Sequence, residues 1–227
     1  MAGSGVAGEG LSRRSVLAGA ILVSACGRKR GPRYQGWLFV ASGGEKEIAV
    51  ADLASFRRVA AIPLHCAVDQ LFQSEPRRVF AVCRDARAII EIDVARLQAA
   101  GRIAVPGKPI VARLLPGAKA ALILADDPPA LLRVDLSARR IAARLPLPGA
   151  SADMDLSGSL AAVTLPVKNA VLRASLPEHK AAGITDVGLP CAAIRFRRDG
   201  KTILAGAAAA KEIISIDAAT GSLLSRL

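Results

Sequence analysis

The sequence predicts an all-β fold, a β-propeller of four-stranded antiparallel blades, on three observations. A strand-like run ending in Asp or a substitute recurs with its last residue at 52, 93, 135, 175 and 217, so the spacings are 41, 42, 40 and 42. A fixed period near forty made of short β-type segments is the signature of propeller blades. Apolar runs are four to eight residues long, and no stretch keeps a 3.6-residue period over twelve residues or more. A helical solenoid is thereby excluded. Pro and Gly reset each unit, as in Pro106-Gly107-Lys108-Pro109 and Pro146-Leu147-Pro148-Gly149, where chain reversals are expected.

Each period opens with an inner-type strand, at 68–72, 110–115, 152–156 and 192–196. Turns such as Arg198-Asp199-Gly200-Lys201 follow, then a second strand at 37–41, 79–83, 121–125, 160–165 and 202–205. The Asp-ending run is the third strand, at 48–52, 89–93, 131–135, 171–175 and 213–217. A fourth, at 58–64, 102–105, 141–147, 184–189 and 222–227, completes the unit. The chain therefore divides into an N-terminal segment at 1–26, a short linker at 27–36 and repeats over 37–227.

The 227 residues are 52% apolar, enough for a real core, while aromatics make up 3%. So few rings argue against stacking platforms for single-stranded nucleic acid. The net charge of +12 would attract anionic partners over about one Debye length. The arginines nevertheless occur as scattered pairs, Arg57-Arg58, Arg77-Arg78, Arg139-Arg140 and Arg197-Arg198. A dispersed basic surface without a dedicated polyanion stripe is expected, and nucleic acid is disfavoured as a partner.

The first 26 residues read as an export signal. A polar start is followed by Arg13-Arg14 and an apolar run from Val16 to Ala25, half the ~20 residues a transmembrane helix needs. Ser12-Arg13-Arg14-Ser15-Val16-Leu17 resembles the twin-arginine signal with Val16 in place of Phe, and Val23-Ser24-Ala25-Cys26 resembles a lipoprotein lipobox. Cys26 would then carry the lipid. Gly27-Arg28-Lys29-Arg30-Gly31-Pro32-Arg33 would be a basic tether lying over anionic headgroups. The protein is expected in the periplasm or cell envelope, anchored to a membrane.

The repeats resemble bacterial YVTN-type seven-bladed propellers. Ile216-Asp217-Ala218-Ala219-Thr220-Gly221 matches their Ile-Asp-x-x-Thr-Gly turn, and Asp199-Gly200-Lys201 with Ile203-Leu204-Ala205 matches their hairpin. The naming motif is degraded, with Phe39-Val40-Ala41-Ser42, Phe80-Ala81-Val82-Cys83 and Ala162-Val163-Thr164-Leu165 as its nearest forms. The resemblance runs from Trp37 onward and implies architecture. Residues 37–64 supply three strands and 66–227 four sets of four, nineteen in all, so four to five blades are present. A seven-bladed ring takes about twenty-eight strands and a five-bladed one about twenty. The expectation is an arc of nearly five blades from a truncated seven-bladed ring. A small irregular ring and an edge-to-edge dimer are the other arrangements that would cover open sheet edges.

Candidate site residues come from the inner strands, which line the central channel where ligands favour propeller mouths. His65 precedes an inner strand, with Cys66, Asp69 and Gln70 following, and Cys191 holds the matching position three blades on, with Arg195 after it. Arg113, Asp153 and Asp155 complete the channel-rim set; alternation puts Asp153 and Asp155 on one side of their strand. Without a third ligand, hydrogen bonding is expected of these carboxylates before metal binding. His179 reads as an exposed turn between outer strands without a role. With Cys26 committed to lipid, Cys66, Cys83 and Cys191 are an odd set, and buried free thiols are expected. No phosphate loop, dinucleotide fingerprint or nucleophile elbow occurs, so no cofactor is expected.

Two functions follow. The first is a binding module for a protein or anionic envelope polymer. The second is a propeller enzyme or cofactor-bearing subunit, lactonase-like or quinoprotein-like, with His65 as the weak catalytic candidate.

Overall fold

Short runs rich in Val, Ile, Leu and Ala, each closed by a turn, form nineteen strands and, among the described residues, no α-helix. The computed structural model describes residues 35–42 and 44–227. The expected export signal and most of the tether lie outside the described residues.

Blade I has three strands, β1 (Trp37–Ala41), β2 (Glu47–Asp52) and β3 (Arg57–Pro63). Blade II has four, β4 (Gln70–Glu75), β5 (Arg78–Cys83), β6 (Ala88–Asp93) and β7 (Gln98–Ala104). Blade III comprises β8 (Lys108–Leu114), β9 (Ala120–Asp126), β10 (Ala130–Asp135) and β11 (Arg140–Pro146). Blade IV comprises β12 (Met154–Ser157), β13 (Leu160–Leu165), β14 (Ala170–Ser175) and β15 (Lys180–Asp186). Blade V comprises β16 (Ala193–Phe196), β17 (Thr202–Ala207), β18 (Glu212–Asp217) and β19 (Leu223–Arg226). Every pairing is antiparallel between neighbours in sequence, and among the described residues none joins blade I to blade V.

The sequence reading is right in strand order and displaced at some ends. The fourth strands of blades II and IV start at Gln98 and Lys180, four residues earlier than expected. Gln98-Ala99-Ala100-Gly101 and Lys180-Ala181-Ala182-Gly183 have little strand propensity. They pair because the apolar third strand beside them offers its free edge.

The core is distributed as layers between blades. Ile48 and Val50 of blade I meet Ala81 and Ile92 of blade II. Phe80 and Ile89 then meet Ile123 and Leu132, Leu122 and Leu131 meet Met154 and Leu172, and Val171 meets Ile194, Ile203 and Ile214. Each β-sheet is thus apolar on both faces wherever it has two neighbours. Consecutive inner strands β4, β8, β12 and β16 lie against one another, as blades stacked about an axis require.

One turn chemistry recurs at the outer hairpins. The Asp93 side chain accepts from the backbone N–H of Ala95 and Arg96, Asp135 from Ser137 and Ala138, and Asp217 from Ala219 and Thr220. An Asx turn of this kind satisfies donors that the reversal exposes. Blade IV has Ser175 there, followed by Pro177; proline has no N–H at the position the carboxylate would bond. The residue four places after the strand-ending one has positive φ in every blade: Phe56, Leu97, Arg139, His179 and Gly221.

A second device is a β-bulge two residues before each strand end, beginning at Val50, Glu91, Arg133, Arg173 and Ser215. Bulges re-aim side chains, and here they aim at the next blade's outer turn. Val50 shares its apolar cluster with Leu97. Glu91 accepts from Arg139 Nε at 2.8 Å and from Arg78 Nε at 2.7 Å. Arg133 and His179 line one cleft of about 450 Å³. Arg173 donates to the carbonyls of Ala218, Ala219 and Thr220 at 3.2, 2.6 and 2.9 Å. Gly101 and Gly183 face the bulges of blades II and IV, where a Cβ would come within 2.9 Å of Arg139 and 2.7 Å of Arg173.

Two expectations are corrected. Cys66 and Cys83 form a disulfide with Cα atoms 6.0 Å apart, and among the described residues only Cys191 is a buried free thiol. The bond ties the segment ahead of β4 to the end of β5, two places that the inner hairpin brings together. His179 is half-buried, and its Nε2 donates to the Leu131 carbonyl of blade III at 3.0 Å. Burial lowers its pKa, the Leu131 hydrogen bond opposes this, and the Arg133 charge lowers it further.

Candidate functional site

Inner strands present alternate residues to the axis. The pairing register aligns Phe72, Arg113, Asp155 and Arg195 at one level, opposite Phe80, Leu122, Ala162 and Leu204. One level away, Gln70 and Asp153 occupy matching places on β4 and ahead of β12. Chemistry at the axis is therefore uneven: blade II offers an aromatic ring stacked on Phe80, and blades III–V offer charge.

Most of these side chains stitch one blade to the next. Gln70 donates from Nε2 to the Ala112 carbonyl at 3.0 Å and accepts the Ala112 N–H at 2.9 Å, acting as an extra strand pair across the seam. Asp153 does the same work two junctions on, between blades IV and V, accepting Ile194 N–H at 3.1 Å as well as Met154 N–H at 2.9 Å. Asp155 accepts Phe196 N–H at 2.8 Å. A carboxylate bonded to main-chain donors is held in one orientation.

Arg113 reaches Asp153 at 3.5 Å and Asp155 at 3.9 Å from blade III, while Arg195 NH1 contacts Asp153 at 2.5 Å from blade V. Arg195 also donates to its neighbour's carbonyl, Ile194 O. The result is a charge row Arg113, Asp153/Asp155, Arg195 over three consecutive blades. Arg195 keeps 57% of its side chain exposed, against 13% for Asp153. Its Nε and NH2 make no protein hydrogen bond among the described residues, so a fork of donors stays open beside the pair.

The remaining candidates stay outside the row. His65 is exposed, has φ +58°, and has no hydrogen-bond or ion-pair partner among the described residues. Asp69 is exposed and accepts Arg84 N–H at 2.8 Å, closing the rim loop beside the disulfide. Nothing in the hydrogen-bond network joins His65 to a carboxylate. The sequence reading missed the inter-blade use of Gln70, Asp153 and Asp155. The signal that could have found it is the 40–42 residue offset between partners, which equals the repeat.

Replacing Asp153 by Ala removes an acceptor for two N–H groups and the anchor of Arg195. A loss of about 2 kcal/mol is expected in urea unfolding, with Asp153→Asn recovering part of it. An unchanged midpoint for the alanine variant would refute the stitching role.

These features define a β-propeller, with a charged axial face on blades III–V. Solved structures share the fold, among them the following two. Kuenenia stuttgartiensis hydrazine synthase is 15% identical with a TM-score of 0.69, over 84% of this chain and 71% of that one. Dihydro-heme d1 dehydrogenase NirN, in complex with DHE, is 17% identical with a TM-score of 0.72, over 84% of this chain and 45% of that one. No family model matches the sequence, and no curated protein does.

Proposed function

We propose that this chain is an exported, lipid-anchored envelope protein of the YVTN-type propeller kind, whose axial face binds an anionic group of a protein or envelope polymer. The open guanidinium fork of Arg195 carries this reading. It is held beside Asp153, and Asp153 is itself fixed to the next blade by main-chain hydrogen bonds. A donor fixed in this way binds a carboxylate or phosphate with little loss of freedom. The Arg13-Arg14 signal, the lipobox at Cys26 and the basic tether support the address. The Cys66–Cys83 disulfide supports it too, since such bonds persist in oxidising compartments.

Calorimetric titration with polyglutamate tests the site. Arg195→Ala is expected to weaken binding about tenfold, equivalent to 1.4 kcal/mol. Arg144→Ala, on an outer strand, is expected to leave it unchanged. Equal losses in both variants would reduce the effect to net charge. For the anchor, Cys26→Ser is expected to move the protein from the membrane to the soluble envelope fraction.

The alternative of an enzyme or cofactor-bearing subunit draws on the likeness to NirN and hydrazine synthase. An acid–base site needs groups converging on one point, and among the described residues His65 has no such partner. Lactone hydrolysis by the wild type, abolished in His65→Ala, would favour this alternative over the binding module.

A further inference from the structure

Blades I and V each present an apolar face of a kind that is buried everywhere else in the molecule. On blade I, Leu38 and Val40 are 47% and 46% exposed, with Ala49 and Ala51 beside them in register. The residues matching Leu38 and Val40 are Val79 and Ala81 in blade II, Ala121 and Ile123 in III, Ala161 and Val163 in IV, and Ile203 and Ala205 in V. All are buried against the preceding blade. On the far side of blade V, Leu204, Gly206 and Ile213 are partly exposed. Their counterparts Phe80, Val82 and Ile89, or Leu122, Leu124 and Leu131, are buried against the following blade. Each end is therefore half of a blade junction.

The two halves also fit by the rule that governs the closed junctions. At each one, the bulged residue of one blade meets the positive-φ turn residue of the next. The pairs are Val50 with Leu97, Glu91 with Arg139, Arg133 with His179, and Arg173 with Gly221. At the last of these an arginine faces a glycine. The two unused members are Ser215, a small side chain at the bulge of blade V, and Phe56, a large one that is 84% exposed at the turn of blade I. An apolar hollow of about 330 Å³ lies on blade V between Ala193, Gly206 and Ile213, at the level where Val82 and Leu124 fill the space in blades II and III.

We propose that a second copy of this chain seats its blade I on the far face of blade V, with Phe56 over Ser215 and Val40 over the hollow at Gly206. The contact continues the blade-on-blade interface already present at four junctions. It is head-to-tail, joining unlike faces, and so leaves one free face on each copy of a pair.

Sedimentation of the detergent-solubilised full chain tests this. The wild type is expected to associate. Val40→Asp and Ile213→Asp should each weaken association at least a hundredfold, and Phe56→Ser, which changes a side chain that supports nothing within its own copy, about tenfold. An equimolar mixture of Val40→Asp and Ile213→Asp should regain a 1:1 complex, because one intact face of each kind remains. A monomeric wild type at all concentrations would overturn the proposal, whatever covers the faces. So would an Ile213→Asp variant that still dimerises, since that outcome means blade I packs on blade I.

Discussion

Arg173→Ala is expected to lower the unfolding free energy by about 3–4 kcal/mol, a fall in Tm of roughly 6–16 °C for a domain of this size. Arg173 is 8% exposed, and its guanidinium ties three main-chain carbonyls of the blade V turn to blade IV. Removing it leaves those carbonyls without a donor and opens a void between blades. The same geometry explains Gly221. Its φ is +81°, and a Cβ there would stand 2.5 Å from Arg173 NH2. Gly221→Ala is therefore expected to cost about 3 kcal/mol in the wild type. In the Arg173→Ala background, only the roughly 1–2 kcal/mol of left-handed backbone strain should remain. A double-mutant cycle from urea melts measures the difference, and additive losses would show that the two residues do not act on each other.

Glu91→Ala is expected to cost about 2–3 kcal/mol. Removing one partner of a buried ion pair usually costs about 3–5 kcal/mol. Here Arg139 is 46% exposed and can turn to water, whereas Arg78, 22% exposed, keeps the Leu136 carbonyl and the Phe80 ring but no carboxylate among the described residues. The pH dependence has a definite sign. Burial alone would raise the Glu91 pKa, but hydrogen bonds from Arg78 and Arg139 and their charges outweigh it, and the pKa lies below the ordinary 4.5. Unfolding releases that depression. The Glu91 contribution is therefore complete above about pH 4.5 and is lost as pH falls through the lower folded value. Wild type and Glu91→Ala should thus converge in stability as a urea series is taken from pH 6 to pH 3. Parallel curves would remove Glu91 from the acid response.

Strand order was legible because it depends on local apolar runs and a period that one chain displays by itself. The disulfide was not, because Cys66 and Cys83 are brought together by the inner hairpin of blade II, and a spacing of 17 carries no signal. The outer turns were hidden in a different way. The Asp-x-x-x-Gly form is literal only at Asp217–Gly221. Phe56, Leu97, Arg139 and His179 take the same left-handed geometry with side chains; Leu97, Arg139 and His179 are held there by the blade before, whereas Phe56 stays exposed. The axial row was half legible: alternation put Asp153 and Asp155 together, but their bonds to Ile194 and Phe196 depend on how blades stack. A repeat shows which positions correspond and not which of them touch.

The pairs at the bulges differ at every junction: apolar, acid with base, base with imidazole, and arginine with glycine. Modules built on one plan are prone to being threaded out of order during folding. Here a transposed module would set Arg173 against Arg139, or leave Glu91 facing a bare glycine. Unlike contacts therefore penalise misassembly, so that chain order is enforced by side chains as well as by connectivity.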